Sequence, residues 1–551
     1  MSNESGDRMN FSEKLRAKKK GILDAELKRA FAVTGFSGTF CVVAATCASL
    51  YISPKAALLI IFTAFAVVGS FFILTCAAKR KISKIFLFSF IGICVCMTSW
   101  TVRYIDYGKT RNSLCNGEKQ SVRLVLTDDG YKTARGFFVY PAVTEDSPHS
   151  GEITVITRDP IDGAAFGVIE GEFLFSAPEG RYVATNFSSD TVASVFVNTE
   201  KVSFSEAEGF FFSKKVYAAR KFVEEKIEAV SNGNDGFLKA LILGQKKAMP
   251  TRQRVALSEA GLSHIIAVSG LHVSVLIAFL SKIFSFVKNR FVRNLSFIFA
   301  VFALAALCGF TSSVVRACLM SALAFSENLV RRKSDSLNSL GFAAFVLVTV
   351  DPFSATSASF LLSFAATLGI LLFAERLSEA VLTGFFRFSR RYPNRLFRFL
   401  SGIFCTSLAA FFFTFPLLYY FFGEQSLVSL LSNVVCLPII SVLYPCAIAA
   451  VFLEMTGFAH PIALVLGSAV DGMTKALMFL VYRLVRLRRI VGDMGISEYC
   501  IAVFSYFAVR GCFLLYKHRK IGRALPRAPQ ALAHTVPPLI FLIEITLFSV
   551  F

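Results

Sequence analysis

Residues 427–456 read LVSLLSNVVCLPIISVLYPCAIAAVFLEMT, a run of thirty positions dominated by apolar side chains. A helix crossing the roughly 30 Å hydrocarbon core of a bilayer needs about 20 mostly apolar residues. This run meets that length and exceeds it. Runs of the same character lie near 31–52, 55–77, 85–100, 263–282, 294–310, 312–330, 337–350, 354–376, 400–422, 460–482 and 497–516. A last one, 537–551, is short for a span. Together they predict a polytopic α-helical membrane protein with about ten to twelve spans.

Composition points the same way. Of 551 residues, 55% are hydrophobic and 17% charged, where a soluble domain carries about 25% charged residues. Sixty phenylalanines against one tryptophan read as lipid-facing composition and not as a base-stacking device. The thirteen cysteines scatter through apolar segments, and only Cys115 falls clearly in a polar one. No CxxC and no zinc spacing occurs, so neither a disulfide framework, a metal site nor a cofactor is expected. The first apolar run follows a basic arm (Lys14, Arg16, Lys18, Lys19, Lys20) and is long enough to stay as an anchor instead of being cleaved.

The net charge of +21 is unevenly spread, since residues 101–210 hold 16 Asp and Glu against 10 Lys and Arg. Basic loops of membrane proteins collect on the cytoplasmic side, which places the N-terminus and Lys79-Arg80-Lys81 inside. A basic arm with three helices, 1–100, then delivers 101–210 outside the cytoplasm. That segment alternates as β-structure does, at Val122–Leu126, Phe137–Val139, Ile153–Ile156, Phe173–Phe175 and Val192–Val197, with turn-forming clusters between. Five short strands suit a small β-barrel, and the OB-fold is the natural candidate. Residues 211–235 follow as an interfacial amphipathic helix. Residues 236–520 form a multi-span domain, and 521–551 a basic tail with a short apolar segment. Arg387, Arg390, Arg391, Arg395 and Arg398, like Lys517, Arg519, Lys520, Arg523 and Arg527, belong inside. Arg483, Arg486, Arg488 and Arg489 conflict with that count. Their spacing suggests an amphipathic helix on the outer surface over 473–490; the alternative is a re-entrant 497–516.

Three stretches place polar groups where lipid disfavours them. The first is Gly261-Leu262-Ser263-His264-Ile265-Ile266-Ala267-Val268-Ser269-Gly270-Leu271-His272-Val273. Two histidines and two serines in half a span face a bundle interior or a wet cavity, and Gly270 lets the helix break. Ser269 and His272 would share a face of a continuous helix and could form a nucleophile–base pair, yet no acid follows to orient the histidine. His264 and His272 would lie about 12 Å apart along such a helix, too far to share a metal. The second is Gly309-Phe310-Thr311-Ser312-Ser313-Val314-Val315-Arg316-Ala317. Arg316 is either a functional charge inside the membrane or one snorkelling to the interface. The third, Ser429–Pro438, sets Asn433 and Pro438 in an apolar run, as a broken helix lining a cavity would, or as a simple proline kink.

In this order the stretches resemble the ComEC family of competence proteins. The resemblance rests on Leu241 to Gly244, Gly261 to Val273, Gly309 to Ala317, Asn338-Ser339-Leu340, Asp351-Pro352, Leu362-Ser363-Phe364-Ala365, Pro416 to Gly423, and Asn433 with Pro438. It covers 236–456 closely and extends weakly to about 520. It implies an inner-membrane channel that carries single-stranded DNA during natural transformation, an outward OB-fold domain, and DNA-receptor and ATPase partners beside the lipid bilayer. On that reading His264, Ser269, Gly270, His272, Arg316 and Asn433 line or shape the DNA path, and no residue is catalytic. Ser312 replaces the proline usual before the serine of the second stretch. Many members also end in a metallo-β-lactamase-like domain. Its His-x-His-x-Asp-His site has no counterpart among the six histidines here, so strand degradation is expected either from another protein or not at all. The competing readings are a membrane hydrolase built on Ser269 and His272, and a small-molecule transporter.

Overall fold

The computed structural model describes residues 30–51, 84–492 and 495, apart from 134, 146–150, 162–164, 179–186, 199–202, 208–209, 267, 269, 331–334, 390–393, 424–425 and 458. The N-terminal basic arm, the Lys79-Arg80-Lys81 loop, the spans expected at 55–77 and 497–516, and all of 521–551 lie outside the described residues. Within them, six helices are long and apolar enough to cross a membrane, and four apolar helices are shorter. The chain is a multi-pass helical protein with a β domain, divided into two compact units.

The first unit comprises residues 1–223 and 276–360. Helix α1 (Ala30–Tyr51) packs against α2 (Lys84–Leu114) at backbone distance. A Cβ added to Gly92 would lie 2.1 Å from the Thr34 carbonyl oxygen. One added to Gly35 would lie 1.9 Å from the carbonyl oxygen of Gly341, in α10 (Ser336–Val350). Small residues let membrane helices approach this closely. The single tryptophan, Trp100, is 1% exposed, donates to Thr46 Oγ1 at 2.9 Å, and stacks on Tyr104 at 4.8 Å. Helices α8 (Arg290–Leu307) and α9 (Ser312–Val330) also belong to this unit, with α9 against both α8 and α10. Asn289 and Asp335 cap α8 and α10 with side-chain oxygens, as N-cap residues do.

The β domain follows α2. Its strands are β1 (Gln120–Leu126), β2 (Tyr131–Lys132), β3 (Phe138–Thr144), β4 (Glu152–Thr157), β5 (Gly167–Phe173), β6 (Phe175–Ser176), β7 (Thr191–Phe196) and β8 (Ser203–Glu206). They join in one curled sheet of order β6-β7-β4-β3-β1-β5-β8, with β2 hairpinned onto β3. Among the described residues only the β4–β7 pairing is parallel. The five expected strand runs fall on or beside this sheet, whose shortest members, β2, β6 and β8, lack the length to show alternation. Leu124, Leu126, Tyr140, Ala142, Ile153 and Val155 are buried. Val125, Val168 and Ala207 form a second cluster. Helix α3 (Phe211–Val230) grips the β1–β2 loop. Arg220 pairs with Asp128 at 2.9 Å and Lys221 with Asp129 at 2.7 Å, while the Tyr217 hydroxyl donates to Asp129 at 2.9 Å. Burial and that carboxylate push the Tyr217 hydroxyl up to about 12, so it stays a donor.

The second unit comprises 224–275 and 361–551. It contains α4 (Asp235–Leu243), α5 (Thr251–Glu259), the single turn α6 (Ser263–Ile266), and the start of α7 (Gly270–Ile283). Residues Ala358–Ser389 run as α11 (Ala358–Gly369), a π turn at Ile370–Ala374, and α12 (Glu375–Ser389). The π turn packs against α13 (Arg395–Phe422), where a Cβ on Gly369 would meet the Ala409 carbonyl at 2.6 Å. Helices α14 (Val428–Thr456) and α15 (His460–Val491) form an antiparallel pair. Helix α15 is continuous through 473–490, where the sequence suggested a separate surface helix. Its buried positions Ala463, Val470, Leu477, Val481 and Leu484 repeat at helical spacing, so one face stays packed past Arg483, and the helix itself runs on to Val491.

Candidate functional site

The sequence from 236 to 273 reaches its position through glycines. Gly244 closes α4 in the left-handed region, φ 75°, and its N–H donates to the Ala240 carbonyl at 3.1 Å. That is the αL helix stop for which glycine is suited, and it accounts physically for the Leu241–Gly244 element. Gly261 has φ 74°, and a Cβ there would lie 2.3 Å from Ser429 Cβ on α14. Buried Asp471 of α15 accepts from the Asn232 N–H at 2.7 Å and from Asn234 Nδ2 at 3.2 Å, pinning the loop before α4. Arg488 donates to the Glu259 carbonyl at 2.9 Å, satisfying a carbonyl at the end of α5.

The helix expected over 263–282 is interrupted. Helix α6 ends at Ile266 and α7 begins at Gly270, so continuous-helix spacing does not measure the separation of the two histidines. His264 is exposed in this unit. His272 is 1% exposed, and its ring meets that of Tyr444, also 1% exposed, edge-on at 4.6 Å. Ser269 lies outside the described residues.

Helix α14 carries the partners of this segment on one side. At 100° per residue Ser429, Asn433, Cys436, Ile440 and Tyr444 fall within about 80° of one another. Gly261 touches that face at Ser429 and His272 touches it at Tyr444, about 22 Å further along by helical rise. Eleven continuous helical steps would cover about 16 Å, so the interruption lets the segment reach further along its partner. Asn433 lies between the two contacts. Its Oδ1 is buried and has no hydrogen-bond partner among the described residues. The first and third polar stretches therefore meet in one unit.

Arg316 belongs to the other unit. It sits just over a turn into α9 and is 7% exposed. The turn before it holds Gly309 at φ 72° and Phe310 at φ 52°. Arg220 of α3 approaches the same turn, its Nη2 lying 3.8 Å from where a Gly309 Cβ would be. Neither Arg220 nor Asp471 stood out in the sequence. Arg220 is one cation among many on an amphipathic helix, and Asp471 is a lone acid whose partners lie far away in the chain.

The family model described as "Competence protein" matches residues 241–520. ComE operon protein 3 of Bacillus subtilis (strain 168) is 25% identical over 350 residues, covering 61% of this chain and 41% of that protein. Recombination protein 2 of Haemophilus influenzae (strain ATCC 51907 / DSM 11121 / KW20 / Rd) is 28% identical over 266 residues, covering 46% of this chain and 33% of that protein. The matched part thus spans less than half the length of each of these relatives. No solved structure matches. With the model matching residues 241–520 of 551, the chain belongs to the competence protein family.

Proposed function

We propose that the chain is a channel that carries single-stranded DNA across the cytoplasmic membrane during natural transformation, working with DNA-receptor and ATPase partners. The observation that supports this most is the buried, unsatisfied Oδ1 of Asn433 on the α14 face shared by Gly261 and His272. Unsatisfied buried polar atoms are uncommon and call for an explanation. A path for a charged polymer supplies one, because such a path needs polar groups that bind weakly enough to release. His264, Ser269 and Gly270 would shape the helix break beside it. Arg316 would offer phosphate a buried positive charge. Residues 101–210 would lie outside the cytoplasm as an OB-like half-barrel that meets the strand first.

The test is entry of labelled DNA in cells carrying variants of this chain. His272→Ala, Asn433→Leu and Arg316→Ala should each lower entry at least about tenfold at unchanged protein levels, the loss of roughly one charge-assisted or polar contact. Normal entry after clean deletion of the chain would refute the channel. Hydrolysis by purified protein that Ser269→Ala and His272→Ala both abolish would establish the hydrolase reading instead.

A further inference from the structure

Asp190 precedes β7 with φ 58°, a conformation that residues other than glycine adopt rarely and keep only when their surroundings enforce it. Its N–H donates to the Phe187 carbonyl at 3.1 Å, and its own carbonyl accepts from the Glu152 N–H at 2.9 Å. One carboxylate oxygen pairs with Arg103 of α2. The other, Oδ1, is buried with no hydrogen-bond partner among the described residues. Asp351, directly after α10, contributes a second negative charge to the same cluster, and it accepts a bond from the Ser354 N–H at 3.4 Å.

An aromatic wedge holds the three elements together. Phe187 lies 4.2 Å from Phe353 and 5.1 Å from Tyr107 by ring centroids, and Tyr107 lies 5.6 Å from Phe353. The Tyr107 hydroxyl donates to the Thr191 carbonyl at 3.1 Å. Arg111 lies one turn further along α2, beside Tyr107. The Arg103–Asp190 pair thus sits where the β domain meets α2, with the Asp351-Pro352 turn close enough for Asp351 to act electrostatically on both. All of these groups belong to one compact unit.

We propose that Arg103, Asp190 and Asp351 form a proton-operated joint, which holds the β domain firmly on its helices when one carboxyl is protonated and loosens it when both are ionised. Burial, with the Asp351 charge adding to it, holds the Asp190 carboxyl up at about 6 against the pull of Arg103. Burial also raises Asp351. The ordinary value is 3.8, so between 3.8 and about 6 the folded joint binds more protons than the unfolded chain. Its stability is then fully present at low pH, falls as pH rises through about 6, and stays low above. At about one-fifth to one-third side-chain exposure for Asp190 and Arg103, protons reach the cluster from water.

The experiment follows amide hydrogen exchange across 187–196 in the full chain in detergent, corrected for intrinsic rate, from pH 4.5 to 8. Protection should fall at least about tenfold with a midpoint near 6, as a shift of more than one pH unit requires. Asp190→Asn should remove the transition and keep the low-pH protection at pH 8; asparagine tolerates this backbone region. Asp351→Asn should move the midpoint to lower pH, because it removes the like charge. Protection that rises through this range, or a midpoint unmoved by Asp351→Asn, overturns the joint. Should Asp190→Asn fail to fold, Asp351→Asn alone decides.

Discussion

Gly261 combines a left-handed backbone with a neighbour that leaves no room for a methyl group. The backbone alone disfavours an L side chain by about 1–2 kcal/mol, and forcing extra volume into packed surroundings adds about 1–3 kcal/mol. Gly261→Ala should therefore destabilise the chain by at least about 2 kcal/mol, seen as a lower thermal midpoint in detergent. Gly402, which has nothing within 4 Å of its notional Cβ, should accept alanine without that loss. His272, Arg316 and Asn433 were legible in the sequence because a polar group in an apolar run is conspicuous. Asp190, Asp351 as its charged neighbour, and Asp471 were not. Each becomes meaningful only through a partner that the chain brings back from far along the sequence, as Asn232 is brought to Asp471.

At the level of elements, α1 is held between α2 and α10 by backbone contact at Gly92 and Gly35. Lipid offers no hydrophobic gain for pushing helices together, so close fit carries the association. Gly35→Val should separate α1 from α10 and cost at least about 1–3 kcal/mol. Reduced resistance of the folded chain to heat or protease would report it, and unchanged resistance would show that α1 is not clamped there. Apolar length located most of the helices, and period-two alternation located the longer strands, because burial imposes both patterns directly. What the sequence concealed were interruptions and continuities: the gap after Ile266, the π turn at 370–374, and α15 running on through its arginines. These depend on which neighbour receives each carbonyl, as Arg488 receives that of Glu259, and residue type alone does not reveal it.

Across the whole molecule the β domain is acidic while the remainder is basic, so under the proposed function any DNA contact by the domain would have to rest on a local feature. On the face of the sheet away from Ile153 and Val155, Phe196 is 52% exposed. It meets Phe137 edge-on at 5.8 Å and lies 5.9 Å beneath the Arg158 guanidinium. An exposed aromatic beside a cation is a stacking platform for unpaired bases, worth about 1–3 kcal/mol per base. Phe196→Ala should weaken single-stranded DNA binding by the full chain about fivefold or more. Arg158→Gln should flatten its salt dependence. Equal affinity for wild type and both variants, measured by fluorescence anisotropy of a labelled oligonucleotide, would move the first contact with DNA elsewhere. The burial of Trp100 at the α1–α2 crossing has a practical side. As the chain's single tryptophan, bonded to Thr46 and roughly one helical turn from Arg103, it makes intrinsic ultraviolet emission a site-specific optical gauge of that crossing, with no dye or engineered label required.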